Sequence, residues 1–146
     1  MDHFLGNIEH IKNQRDFTKL VDEIPYAQTL GIKILDTQQG ILFCLPAQES
    51  VVGNPTLPAI HGGAISGFME VSAAMFLLLK FERPVIPRVV DFSIDFLRAG
   101  RLFDTYASCE ILRQGNRVTN VQVRAWQQEE HKPIATARAN FITEPH

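Results

Sequence analysis

The segment from His61 to Lys80 limits the possible folds of this chain more than any other. It runs for about twenty residues without a proline, is rich in Ala, Leu, Met and Phe, and is apolar on nearly every face. A helix on a protein surface opposes an apolar stripe to a polar one, so a helix that is apolar all round must be wrapped by other elements. Its longest apolar stretch, Phe68 to Leu79, is interrupted by Glu70 and Ser72 and falls short of the roughly 20 residues that a membrane span needs. The segment reads as a buried helix closed off by Pro84 and Pro87, and the rest of the chain must supply its wrapping.

The flanking segments do so with strands. Ile32–Asp36 and Ile41–Leu45 are strand-like runs joined by Thr37-Gln38-Gln39-Gly40, a hairpin signal. After the helix, Val89–Leu97 alternates Phe92, Ile94 and Phe96 with Asp91, Ser93 and Asp95. Phe103–Leu112 follows, and a tight turn at Arg113–Arg117 leads to a strand with Val121, Val123 and Ala125 on one face. Gln128–Lys132 turns again, and Ile134–Ile142 presents Ala135, Ala137, Ala139 and Phe141. Consecutive strands linked by hairpins imply an antiparallel sheet. The expected fold is α+β, a curved antiparallel sheet of five or six strands wrapped around the helix, with Ala135, Ala137 and Ala139 admitting it closely. Such a sheet keeps an open edge, which calls for a partner; at least a dimer is expected.

Ahead of this unit, Ile8, Ile11, Phe17, Leu20 and Val21 recur at helical spacing, predicting an amphipathic helix over Asn7–Val21. Pro25 starts a short helical turn that Gly31 ends, and Gln48–Ile60, with Gly53, Asn54, Pro55 and Pro58, reads as loop. The chain is expected to divide into a helical extension, 1–23, and the sheet-and-helix domain, 24–146.

Composition removes several classes of function. The chain has 146 residues, 14 Lys plus Arg against 16 Asp plus Glu, and no dense basic run, so neither nucleic acid nor an anionic membrane is an expected partner. Its two cysteines, Cys44 and Cys109, form no C-x-x-C, and the five histidines show no metal-binding spacing; no metal and no cofactor are expected. Met1-Asp2-His3-Phe4-Leu5 is unlike a signal peptide, and the chain is expected to be cytoplasmic.

Chemistry concentrates in Asn54 to Glu70. Gly62-Gly63, opening the buried helix, serves either a tight turn or an anion at bare helix-terminal N–H groups. Glu70 lies over two turns into the helix, with Ser66, Gly67, Ala73 and Ala74 at the i±3 and i±4 positions and therefore no cation. An unpaired carboxylate among apolar neighbours titrates upward or faces a cavity, unless it reaches water or an arginine from elsewhere in the fold.

His61-Gly62-Gly63, an acidic residue nine positions after the histidine, the Val-Asp-Phe-Ser-Ile-Asp-Phe-Leu-Arg strand and the Arg113-x-Gly-x-Arg117 hairpin together resemble the PaaI-like acyl-CoA thioesterases of the hotdog superfamily. The similarity runs from Gly31 to Phe141. It implies the hotdog fold, hydrolysis of an acyl-CoA to a free acid and CoA, and a homodimer or homotetramer whose sites lie between subunits. Carried over by position, Gly62 supplies the amide that polarises the thioester carbonyl, and Glu70 is the carboxylate that attacks it or activates a water. His61 shapes the start of the helix or acts as an acid. Gly63, Arg113, Arg117 and Arg98 are the implied CoA contacts, although an ordinary solvated surface also accounts for the arginines.

Two positions depart from the family pattern. Where many members carry Asn or Gln six residues before the histidine, to hold the nucleophilic water or the carboxylate, this chain has Pro55, and Asn54, one residue further off, is the implied catalytic candidate for that role. Alanine occupies position 74, where some relatives place Ser or Thr. Two other readings stay open: a hydroxyacyl-thioester dehydratase, whose usual histidine motif carries Pro and Phe absent here, and a non-catalytic acyl-CoA-binding module.

Overall fold

A computed structural model describes residues 2–83 and 85–144; Met1, Pro84, Pro145 and His146 lie outside the described residues. Strand pairing begins at the expected hairpin, where β1 (Lys33–Thr37) meets β2 (Gly40–Leu45) and Thr37 pairs with Gly40. Gly40 takes φ +122°, a conformation that side chains resist. The later strands are β5 (Arg88–Phe96), β6 (Thr105–Gln114), β7 (Val118–Trp126) and β8 (Ala135–Ile142). With β1 and β2 they form one six-stranded antiparallel sheet in the order β1-β2-β6-β7-β8-β5.

The long helix, α4, spans Gly62–Lys80 and touches β2, β5, β6, β7 and β8. By length and composition alone it would pass for a membrane span. Ten of its nineteen residues are buried, which makes it the core helix. Ala107, Val121, Val123, Ala125, Ala135, Ala137 and Ala139 face inward and are almost fully covered. Their small side chains let the helix lie close to the sheet, as expected from the alanine pattern.

Two expectations need correction. The leading helix is not continuous: α1 covers Asp2–Gln14 and α2 covers Thr18–Asp22. Ile11 and Phe17 are six residues apart, which on one helix would point them about 120° apart. Arg15, at φ +51°, breaks the helix, and both residues are buried in the same core. The Gln48–Ile60 segment is not all loop. It holds a 3₁₀ turn at Glu49–Val51 and a small ladder of β3 (Val52–Asn54) with β4 (Ala59–Ile60). Bonds from Ile60 N–H to Gly100 O and from His61 N–H to Val51 O, both 2.8 Å, then fix where α4 starts.

α3 (Pro25–Leu30) ends on left-handed Gly31, φ +70°, and lies beside α4. At the other end of α4, the Lys12 ammonium of α1 donates to the Phe81 carbonyl, placing a cation where helix carbonyls run out.

Candidate active site

An α-helix leaves its first four N–H groups without intrahelical acceptors. In α4 these belong to Gly62, Gly63, Ala64 and Ile65. The His61 carbonyl accepts from Ala64 and Ile65 at 2.9 and 3.2 Å. The His61 ring Nδ1 accepts from Gly63 at 2.8 Å, so the ring caps the helix and its proton sits on Nε2. Only the Gly62 N–H remains without an acceptor among the described residues, at the positive end of a nineteen-residue dipole.

The surroundings of that N–H are built by contact. A Cβ on Gly62 would meet the Phe96 ring at 3.2 Å, so Phe96, at the end of β5, lies over the start of the helix. Asn54, Leu57, Gly62, Phe96 and Arg98 line one open depression of about 510 Å³. Asn54 spends its side-chain oxygen on the Thr56 N–H at 3.0 Å, shaping the loop. The Arg98 guanidinium donates to the Pro133 carbonyl at 2.6 Å, which holds it at the rim.

Glu70 differs from its expected surroundings. Its apolar sequence neighbours Phe68 and Met69 are buried, but Glu70 is half-buried on a stripe with Gly63, Gly67 and Ala74 that the sheet leaves uncovered. Among the described residues the carboxylate has no hydrogen-bond or ion-pair partner. Eight residues separate it from Gly62, about 12 Å along the axis at 1.5 Å per residue. Within one chain the two groups therefore lie too far apart to act on the same thioester.

Arg113 and Arg117 lie elsewhere again. Val118 pairs with Ile142, which pairs with Arg88, whereas Phe96 pairs with Ala135 at the opposite end of the sheet. The β6–β7 hairpin is thus remote from Gly62 within the chain. With Asn116, Asn120 and Asn140 its arginines line a second depression of about 590 Å³. Arg117 also pairs with Glu144 at 3.4 Å, an exposed contact. Burial pushes the thiols of both Cys44 and Cys109 up, so neither is an activated nucleophile.

Three positions escaped the sequence reading. Gly53 admits His61, Phe96 covers Gly62, and Tyr26 of α3 lies over Gly67. The only trace in the sequence was a glycine where each close approach occurs.

Residues 57–134 match the family model described as the thioesterase superfamily. The medium/long-chain acyl-CoA thioesterase YigI of Escherichia coli K12 is 28% identical over 143 residues, covering 85% of this chain and 92% of that protein. A crystal structure of a Chromobacterium violaceum protein is 38% identical, with a TM-score of 0.78 and coverage of 98% of this chain and 97% of that one. The E. coli PaaI protein of the phenylacetic acid degradation operon is 17% identical at a TM-score of 0.74, covering 98% and 95% of the two chains, a likeness of fold.

Proposed function

Since this chain belongs to the thioesterase superfamily, we propose that Glu70 and the Gly62 N–H carry its reaction, the hydrolysis of an acyl-CoA thioester to a free acid and CoA. The observation that carries the site is the helix start. His61 satisfies three of the four exposed N–H groups and leaves Gly62 alone, a preorganised donor for the oxyanion of a tetrahedral intermediate. With Nδ1 occupied by the cap, His61 has only its Nε2–H to offer, so the ring does not serve as the proton acceptor that the dehydratase reading requires.

A complete site needs two chains. Gly62 and Glu70 are separated along their own helix, and β5 is an edge strand with exposed Val89, Val90, Phe96 and Leu97 on and just beyond it. Antiparallel pairing of β5 with a second copy would cover those side chains and satisfy the free edge. It would also bring the Arg113/Arg117 hairpin end of one chain toward the Gly62 end of the other, where the CoA phosphates need cations. We assign a homodimer on this basis, with pairs of dimers as the route to a tetramer. We place the enzyme in the cytoplasm, consistent with its two free cysteines.

The substrate carbonyl oxygen rests on the Gly62 N–H, and Glu70 of the other chain faces the carbonyl carbon. The name of the E. coli relative supports medium- and long-chain acyl groups. The test is thiol release from acyl-CoA esters running from butyryl to palmitoyl, with sedimentation alongside. Glu70→Gln is expected to lose at least ~10²-fold in turnover, the scale of a positioned acid–base group, while remaining folded and dimeric. A folded Glu70→Gln protein with wild-type turnover would remove Glu70 from the mechanism. A fully active monomer would remove the shared site.

A further inference from the structure

Gly67 stands in the middle of α4, where glycine costs stability relative to alanine. The structure supplies a reason for it. A Cβ at Gly67 would collide with the Tyr26 hydroxyl oxygen and lie 3.1 Å from its ring, so this glycine is the seat of the Tyr26 phenol. Tyr26 is held from the other side by α3, whose first residue is Pro25. The side chain remains 48% exposed, and its hydroxyl has no hydrogen-bond partner among the described residues.

Gly67 and Glu70 are three residues apart on one helix face, so their Cβ positions are about 5–6 Å apart. The Tyr26 hydroxyl takes up one of those positions and the Glu70 side chain grows from the other. Two polar groups without partners among the described residues thus neighbour one another on one stripe of α4, where a water can bridge them.

We propose that Tyr26 is a water-positioning residue, and that its hydroxyl holds the attacking water against Glu70. This rests on the thioesterase reading of Glu70 and deepens it by making the carboxylate a general base. The Tyr26 O–H donates to one lone pair of the water. The other lone pair forms the new bond to the thioester carbon as a water proton passes to a Glu70 carboxylate oxygen. The carbon–sulfur bond then breaks, and the departing CoA sulfur takes the proton back from Glu70. Water and thioester are consumed, and acid and thiol are released.

Tyr26→Phe keeps the ring on Gly67 and deletes only the hydroxyl. Turnover on the best acyl-CoA is expected to fall by about tenfold or more, the kinetic equivalent of one hydrogen bond to a reacting group, with KM within about twofold and the thermal midpoint unchanged. Gly67→Ala removes the seat of the hydroxyl while improving the helix, so it should lose comparable turnover with an equal or higher thermal midpoint. The double variant should be no slower than Gly67→Ala alone, because both changes remove the same contact. Tyr26→Phe at wild-type turnover, beside an inactive Glu70→Gln, overturns the role of Tyr26 and leaves the function standing. Full activity in Glu70→Gln, or a wild-type protein that releases no thiol from any acyl-CoA, overturns both.

Discussion

A Cβ on Gly53 would lie 2.7 Å from the Cα of His61 and 2.8 Å from its Cβ. The loop strand and the start of α4 therefore touch backbone to backbone. Backbone cannot swing aside as a side-chain tip can, so Gly53→Ala must push the helix start away from β3. We expect a loss of about 1–3 kcal/mol, the usual range for overpacking, together with reduced turnover because the Gly62 N–H moves with His61. Denaturant titration and thiol release measured on the same preparation check both effects.

His61 offers a way to separate capping from acid chemistry. Its Nδ1 bond to Gly63 is worth about 1 kcal/mol as a helix cap, which His61→Ala should forfeit. Asparagine is among the best N-caps but cannot act as an acid near neutral pH. His61→Asn should therefore recover both stability and most of the turnover. Recovery of stability without turnover would show that the imidazole itself takes part in the reaction.

Ser72 is fully buried, and its hydroxyl is the one buried side-chain polar atom among the described residues without a partner. Leaving such a group unsatisfied is costly, whereas an apolar replacement of similar shape is nearly neutral or better. Ser72→Ala should leave the denaturation midpoint unchanged or raise stability by up to about 1 kcal/mol. A clear loss would point to an ordered water at the hydroxyl.

Where side-chain pattern dictates structure, the chain could be read directly. The all-round apolar run from Phe68 to Leu79 demanded a wrapped helix, and the alternation through Val121, Val123 and Ala125 demanded a half-buried strand. The break at Arg15 was hidden because Ile11 and Phe17 are both apolar, and only their angular spacing betrays the kink. The half-burial of Glu70 was hidden for a related reason. Hydrophobic neighbours in sequence describe both sides of a helix at once, and the stripe of Gly63, Gly67 and Ala74 contains small residues that count as apolar while lining an open face. The partnerships of Gly53 with His61 and of Gly67 with Tyr26 are recorded only as missing side chains, and an absent side chain names no partner.

The 12 Å of helix between Gly62 and Glu70 has a consequence for inheritance. On the proposed pairing, each site takes its amide from one chain and its carboxylate from the other. Gly62→Val, whose side chain would strike the Phe96 ring, damages only the amide half, and Glu70→Gln damages only the carboxylate half. Refolded together, the two dead proteins form mixed pairs in which one site carries both lesions and the other carries neither. Activity should return in the mixture, although neither parent has any, and a cell holding one copy of each allele would keep a working enzyme.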